Sequence, residues 1–351
     1  MKRSITIFSL LLAFASVLSS CSTKVDLYAD YKDIPIVYGL IDVTQDTNFV
    51  KIIRAFSGSS QTSVNANEVA MIPDSNNYPG KLDARFYEYR ATGSGNSYSP
   101  TGRVIELDTM TIHDKNSGTF YSPDQKVYYT TERFNSNDPE RNIRYKYRLE
   151  ILKGNDTVSG LTGVVGGNDF QVTNRSIDLD PASVSDSKVS FYSAENAFVY
   201  EVKMVFNYKE KLPGQEMQQK KVEWSLGTYH KDEIHSENFG SHKKYELGYA
   251  HTMLFEMLEN KIGSNSQNAT RYIGDFYVSV AAGGSELYNY IEVTAPSSSL
   301  AQTFSDYTNI EGGLGVLSSR VNICQKVNLT PNTIMALIEK EEWGFQQDLG
   351  E

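Results

Sequence analysis

Apolar and polar residues alternate with a period of two along much of this chain. In "AFVYEVKMVFNYKEK", Phe198, Tyr200, Val202, Met204, Phe206 and Tyr208 take one phase, while Glu201, Lys203, Asn207 and Lys209 take the other. Successive side chains of a strand point to opposite faces, so the pattern predicts a strand with one buried face. Pro213-Gly214 supplies a turn. "QQKKVEWSLGTY" then returns with Val222, Trp224 and Leu226 in phase against Lys221, Glu223 and Ser225, which predicts a β-hairpin. "IRYKYRLEI" sets Tyr145, Tyr147, Leu149 and Ile151 against Arg144, Lys146, Arg148 and Glu150, and "GND" at 154–156 follows as a hairpin turn. "IPIVYGLID" and "FVKIIRAFSG" flank the polar connection 44–48 and predict a third hairpin. "KLDARFYEYR" and "GRVIELDTM" are shorter strand candidates.

The period lengthens in two places. In "YAHTMLFEMLENKIGS", Ala250, Met253, Leu254, Met257, Leu258 and Ile262 recur at helical spacing, with Lys261 and Gly263 at the C-terminal end; an amphipathic helix is predicted over 249–262. Thr330 as cap and Pro331 in the first turn predict a short helix over 334–342. Clusters rich in Ser, Asn and Gly at 57–66, 92–102 and 115–124 space the strands as in a sandwich. The polar stretch 174–187, containing Pro181, is the expected domain boundary. The expected fold is therefore mainly β. Residues 34–175 form an N-terminal β-sandwich, immunoglobulin-like or transthyretin-like. A C-terminal β-rich domain over 186–328 carries the amphipathic helix, and 329–351 form a C-terminal helix and tail.

The N-terminus belongs to neither unit. Lys2 and Arg3 precede an apolar run from Ile5 to Leu18. That run is shorter than the roughly 20 apolar residues a bilayer span needs, and it suits a secretory signal. It ends in Leu18-Ser19-Ser20-Cys21, which resembles the bacterial lipobox. Cysteine is required there because its thiol becomes a thioether to diacylglycerol, after which the new α-amino group receives a fatty acyl chain such as palmitate. Each buried methylene of these chains contributes about 0.8 kcal/mol. The expectation is a lipoprotein signal peptide over 1–20, then lipidated Cys21 and a polar tether over 21–33. The protein would be anchored in the outer membrane, on either its periplasmic or its surface face.

Charge narrows the partners. Residues 1–20 hold two basic residues and no acidic one, so the remainder carries 31 Lys and Arg against 43 Asp and Glu, a net −12. Nucleic-acid binding rests on phosphate neutralisation by Lys and Arg and is not expected. A peripheral electrostatic grip on anionic lipid is disfavoured for the same reason. With Cys21 lipidated, Cys324 has no intramolecular partner; beside Ile323 in a predicted strand it reads as a small buried hydrophobe. The aromatic set, 23 Tyr and 16 Phe against 2 Trp, suits twisted strands with one wet face.

Catalytic signals are sparse. His230, His235 and His242 fall in "YHKDEIHSENFGSHKK" beside Asp232, Glu233 and Glu237, and these residue types could chelate zinc or copper. No helical pairing accompanies them, so they are weak metal candidates in what reads as a solvated loop. No G-x-S-x-G elbow occurs. "NSNDPERN" and "DSNN" lack the spacing of a calcium loop and read as turns. No cofactor is expected, and the chain does not read as an enzyme.

"LYNYIEVTAPSSSLAQTFSDYTNIEGGLGVLSSR", residues 287–320, resembles the C-terminal motif of an uncharacterised outer-membrane lipoprotein family of Bacteroidota, in which "YTNI-x-x-G-x-G" follows a strand and closes the domain. Tyr307, Asn309, Gly312, Gly313 and Gly315 carry the match, and residues 34–56 similarly resemble the family's first hairpin. The resemblance implies a lipid anchor, two β-rich units, association with TonB-dependent receptors or other outer-membrane machinery, and no catalytic residues. The glycines themselves read as a structural turn needing positive φ or close backbone approach. No Lys-Ser/Thr follows them as in a phosphate loop. The expected function is a non-enzymatic accessory or binding subunit of a β-barrel transporter or surface complex. The alternatives are a structural component of adhesion, secretion, gliding or pilus machinery, and a hydrolase on a β scaffold.

Overall fold

The computed structural model describes residues 33–55, 66–92, 97–113, 124–134, 144–240, 242–262, 268–294 and 307–347. Among the described residues strand makes up 55% and helix 15%, so the fold is mainly β, as the alternation predicts. Cys21, the turn segments 57–65, 93–96 and 115–123, and "NSNDPERN" lie outside the described residues.

The N-terminal half contains β1 (Pro35–Asp42), β2 (Asn48–Arg54), the short helices α1 (Ala66–Ala70) and α2 (Pro73–Asn76), β3 (Asp83–Ala91), β4 (Tyr98–Glu106), β5 (Asp108–Ile112), β6 (Gln125–Thr130), β7 (Tyr145–Lys153) and β8 (Asp156–Gly163). The predicted hairpins are present: β1 pairs antiparallel with β2, and β7 with β8 through a turn at Gly154, whose φ is 61°. "DSNN" ends up in α2 rather than in a free turn.

β9 (Ser176–Ile177), β10 (Lys188–Tyr192), β11 (Val199–Lys211), β12 (Gln218–His230), β13 (His235–Phe239) and β14 (His242–Gly248) follow. β11 and β12 form the third hairpin, with Gly214 at φ 75° in its turn. His235–Phe239 and His242–Gly248 are not the solvated loop expected: they form a strand pair, β13 with β14. The C-terminal part holds α3 (Met253–Ile262), β15 (Thr270–Gly283), α4 (Ser285–Thr294), β16 (Ile310–Glu311), β17 (Leu314–Leu329), α5 (Pro331–Glu339) and β18 (Phe345–Gln347).

Helix boundaries differ from expectation for local reasons. α3 begins at Met253 rather than at 249. α5 begins at Pro331, because the Thr330 hydroxyl accepts the Thr333 N–H and fixes the first turn there; Glu341–Trp343 then form a separate 3-10 turn. α4 was not expected at all. Its Tyr, Ile, Val and Thr carry little helix preference, and its position over a sheet outweighs that.

One ten-stranded sheet runs through the molecule in the order β12-β11-β15-β17-β1-β2-β6-β5, with β18 beside β15 and β9 beside β17. Its join is the parallel pairing of β1 with β17, Ile36 opposite Leu314 through Asp42 opposite Arg320. A five-stranded sheet, β16-β8-β7-β3-β4, packs on the N-terminal part, and a three-stranded sheet, β10-β14-β13, on the C-terminal part. Two apolar cores result. One gathers Val37, Ile52, Phe86, Tyr128, Tyr147 and Leu149; the other gathers Tyr200, Phe206, Trp224, Phe276, Leu258 and Trp343. Each such side chain contributes about 1.5–3 kcal/mol on burial. β17 supplies both, Leu317 to the first and Val321 and Val327 to the second. The polar stretch 174–187 is likewise anchored: β9 pairs with β17, and Ile177 and Leu179 are fully buried.

Both cores lie on the same face of the large sheet, since core residues of β17 share one phase and those of β1 pair with it in register. The other face is largely wet. Cys324, out of phase with Val321 and Val327, sits there opposite Ser279 and is exposed, which corrects its expected burial.

Candidate functional site

The wet face carries an open groove beside α4. Tyr38, Leu40 and Asp42 project from β1 in the phase opposite to Val37 and Ile41, next to Phe49 of β2 and to Val316, Ser318 and Arg320 of β17. α4 lies over β17 and buries Val316 and Ser318. It is pinned at its first turn. The Leu287 N–H donates to Ser318 Oγ at 3.2 Å, and Ser318 Oγ donates to Glu286 Oε2 at 3.2 Å. Its middle rests on an aromatic contact, Tyr290 edge-on to Tyr38 with centroids 6.2 Å apart. Between α4 and the β1–β2 hairpin is a groove of about 400 Å³, bordered by Tyr38, Leu40, Asp42, Phe49, Tyr290 and Arg320.

The two charged groups at its polar end differ in how they are held. Asp42 is 3% exposed. Its Oδ1 accepts from Thr44 N at 3.0 Å and from Thr44 Oγ1 at 2.6 Å, while Asn48 Oδ1 accepts the Asp42 N–H at 2.7 Å. These bonds close the β1–β2 turn and give the buried carboxylate the partners it requires. Arg320 is different: its side chain is 54% exposed, and its Nε lies 3.7 Å from Asp42 Oδ2, beyond hydrogen-bond range. Among the described residues the guanidinium makes no hydrogen bond. A planar fork of five donors thus borders the groove with no hydrogen-bonded acceptor among those residues.

The motif residues Asn309, Gly312, Gly313 and Gly315 lie below the groove and position its floor. Gly312 has φ 74° and Gly315 φ 107°, and a Cβ on Gly315 would stand 2.0 Å from the Val37 carbonyl oxygen. A Cβ on Gly313 would stand 2.7 Å from the Pro35 carbonyl oxygen. Only glycine permits β17 to enter alongside β1 so closely. The Asn309 side chain brackets Leu317, donating from Nδ2 to its carbonyl at 2.7 Å and accepting its N–H at 2.9 Å. Tyr307 is half-buried before this bracket.

The three histidines do not converge. His230 Nδ1 is 3.6 Å from Asp232 Oδ2 and its ring lies against Tyr288 at 4.5 Å; His242 Nε2 is 2.6 Å from Asp169 Oδ2; His235 is exposed on β13 opposite Glu246. Among the described residues no three His, Cys, Asp or Glu side chains are grouped to hold a metal ion. Ser183, Asp178 and His251 do approach one another, in an order unsuited to acyl transfer. Ser183 Oγ donates to Asp178 Oδ2 at 2.8 Å, and His251 Nε2 lies 2.8 Å from the Ser185 carbonyl oxygen, so no imidazole stands ready to take the serine proton. Hydrogen bonds from Ser183, Thr330 and the Asp180 N–H, with the nearby His251, outweigh burial and hold the Asp178 carboxyl below its ordinary range.

Arg320, Asp42 and Tyr290 were not singled out in the sequence. Arg320 interrupts an otherwise apolar and small-residue strand, "GVLSSRVNI", which is a signal of sorts. Nothing local, however, says that β1 and α4 meet it. Among the described residues no helix is long and apolar enough to cross a membrane. No family model matches the chain, and no curated protein matches it.

Proposed function

We propose that this protein is a non-enzymatic binding subunit, held to the outer membrane by lipid on Cys21 and serving a β-barrel transporter of the TonB-dependent type or another surface complex. The observation that carries the binding role is the groove beside α4, where exposed aromatic side chains border a guanidinium without a hydrogen-bond partner among the described residues. Small-molecule and partner sites share this composition, an apolar lining with a few convergent polar groups. The anchor rests on the Leu18-Ser19-Ser20-Cys21 signature behind an apolar run. The test combines labelled palmitate incorporation with mild-detergent co-purification from cross-linked native membranes. Wild type incorporates label and brings down a β-barrel protein, and Cys21→Ala does neither. Recovery of the wild type alone defeats the accessory role.

A structural surface component is the second reading. It is favoured by β12, thirteen residues long, which closes one side of the large sheet and, among the described residues, pairs only with β11. Such an edge can accept a strand from another molecule. That reading predicts a stoichiometric assembly that persists without any small ligand.

A further inference from the structure

The groove's chemistry specifies its occupant more narrowly than the binding role, on which this inference rests. Three features act together. The Arg320 fork offers parallel N–H donors, and its hydrogen-bonding capacity is unused among the described residues. Planar two-oxygen acceptors match that fork best. Asp42 Oδ2 lies 3.7 Å from Nε of the same guanidinium and already ion-pairs with it, and its negative charge repels an incoming dianion about twice as strongly as a monoanion. That favours a monoanion over phosphate or sulfate. Beyond Gln45, Thr47 and Asn48 at its polar end, the remainder of the groove is apolar and aromatic, with Phe49 44% exposed and Tyr290 extending from α4.

Strand topology excludes an extended peptide backbone as the main contact. Along the groove β1 is flanked by β17 and β2, Asn48–Val50 of β2 pair with β6, and the Asn309 side chain brackets Leu317 where β17 lacks a second strand, so the floor offers a peptide no continuous ladder edge. The occupant must be gripped by side chains. At about 400 Å³ the space falls within the range of small-molecule sites, roughly 300–1,000 Å³. We infer that the groove binds a small free monocarboxylic acid with an aromatic or branched aliphatic body, its carboxylate on Arg320 and its body between Tyr290 and Phe49.

The test is titration calorimetry on the full-length protein in mild detergent. The probe is 3-phenylpropionate, with its neutral isostere 3-phenylpropanamide, inorganic phosphate and a short peptide ending in phenylalanine as comparisons. The acid binds, the amide binds at least about tenfold more weakly, and Arg320→Gln reduces acid affinity by a similar factor. Tyr290→Ala weakens acid and amide alike, phosphate gives no heat, and the peptide binds no better than the free acid. Arg320→Gln also removes the 3.7 Å ion pair to the buried Asp42, so circular dichroism and a melting temperature above that of the titration separate lost binding from lost fold. Equal affinity for acid and amide overturns the inference, as does full affinity in Arg320→Gln, tighter binding of the peptide or phosphate, or no binding of the acid up to its solubility. None of these outcomes touches the co-purification of a membrane partner, which tests the broader role separately.

Discussion

Replacing Asn309 by alanine tests the claim that the YTNI segment is a structural clamp. Asn309 Nδ2 donates to the Leu317 carbonyl at 2.7 Å and to the Leu161 carbonyl at 3.3 Å, and its Oδ1 accepts the Leu317 N–H at 2.9 Å. It thereby does for β17 at this point what a neighbouring strand would do. Leu317 is fully buried, so both of its backbone groups lose their partner in the variant. A buried group left unpaired costs about 1–3 kcal/mol. Because Asn309 itself is only part-buried, water can reach part of the gap, and the expected loss is about 2–3 kcal/mol. Equilibrium urea unfolding followed by circular dichroism measures it, with an unchanged slope showing that only the native state is affected. Asn309→Asp sharpens the test. Its carboxylate still accepts the Leu317 N–H but points a charged oxygen at two carbonyls, so at neutral pH it is as destabilising as alanine. The carbonyls raise the introduced carboxyl's folded pKa. Its stabilising protonated form, which donates to Leu317 O, is therefore present at low pH and lost as pH rises. A loss below about 0.5 kcal/mol for Asn309→Ala, or no pH-dependent recovery for Asn309→Asp, refutes the clamp.

Gly315→Ala places a Cβ 2.0 Å from the Val37 oxygen at φ 107°, so it abolishes soluble folded protein or costs several kcal/mol, of order 3 or more, whereas Gly80→Ala, with nothing within 4 Å, changes the urea midpoint little. Cys324 reacts with a maleimide dye in the folded protein without denaturant; protection until unfolding would place its thiol back in the core. Asp178→Asn removes a depressed carboxyl. The wild-type advantage is therefore full above the ordinary value of 3.8, shrinks as pH falls below it, and is read from melting temperatures across that range. An advantage independent of pH would show that hydrogen-bond geometry, not charge, holds Asp178.

Local periodicity made much of this protein legible. The β11–β12 hairpin follows from strict alternation around Pro213-Gly214, and the β7–β8 hairpin from "GND", because strand faces and tight turns are set by neighbours in the chain. Thr330 and Pro331 marked the cap and first turn of α5 for the same reason, although the helix runs Pro331–Glu339 rather than over 334–342. The exposure of Cys324 was also within reach, since Val321, Ile323 and Val327 occupy the phase it does not. α4 was not legible. Its Tyr-, Ile- and Val-containing sequence suits a strand, and it is helical because Ser318 and Glu286 fix its first turn over the bare face of β17.

What the amino-acid order determined alone is therefore the mainly β character, the positions of most strands, the glycines that a tight approach demands, and the signature at Cys21. The tertiary structure decided the rest. The parallel union of β1 with β17 joins segments from opposite ends of the chain and builds one sheet through both cores. That union also brings Asp42 beside Arg320 and leaves room under α4 for the groove. Pairing between distant strands is chosen by the summed burial of whole sheet faces and by loop-closure entropy, and neither quantity is written in any local stretch of residues.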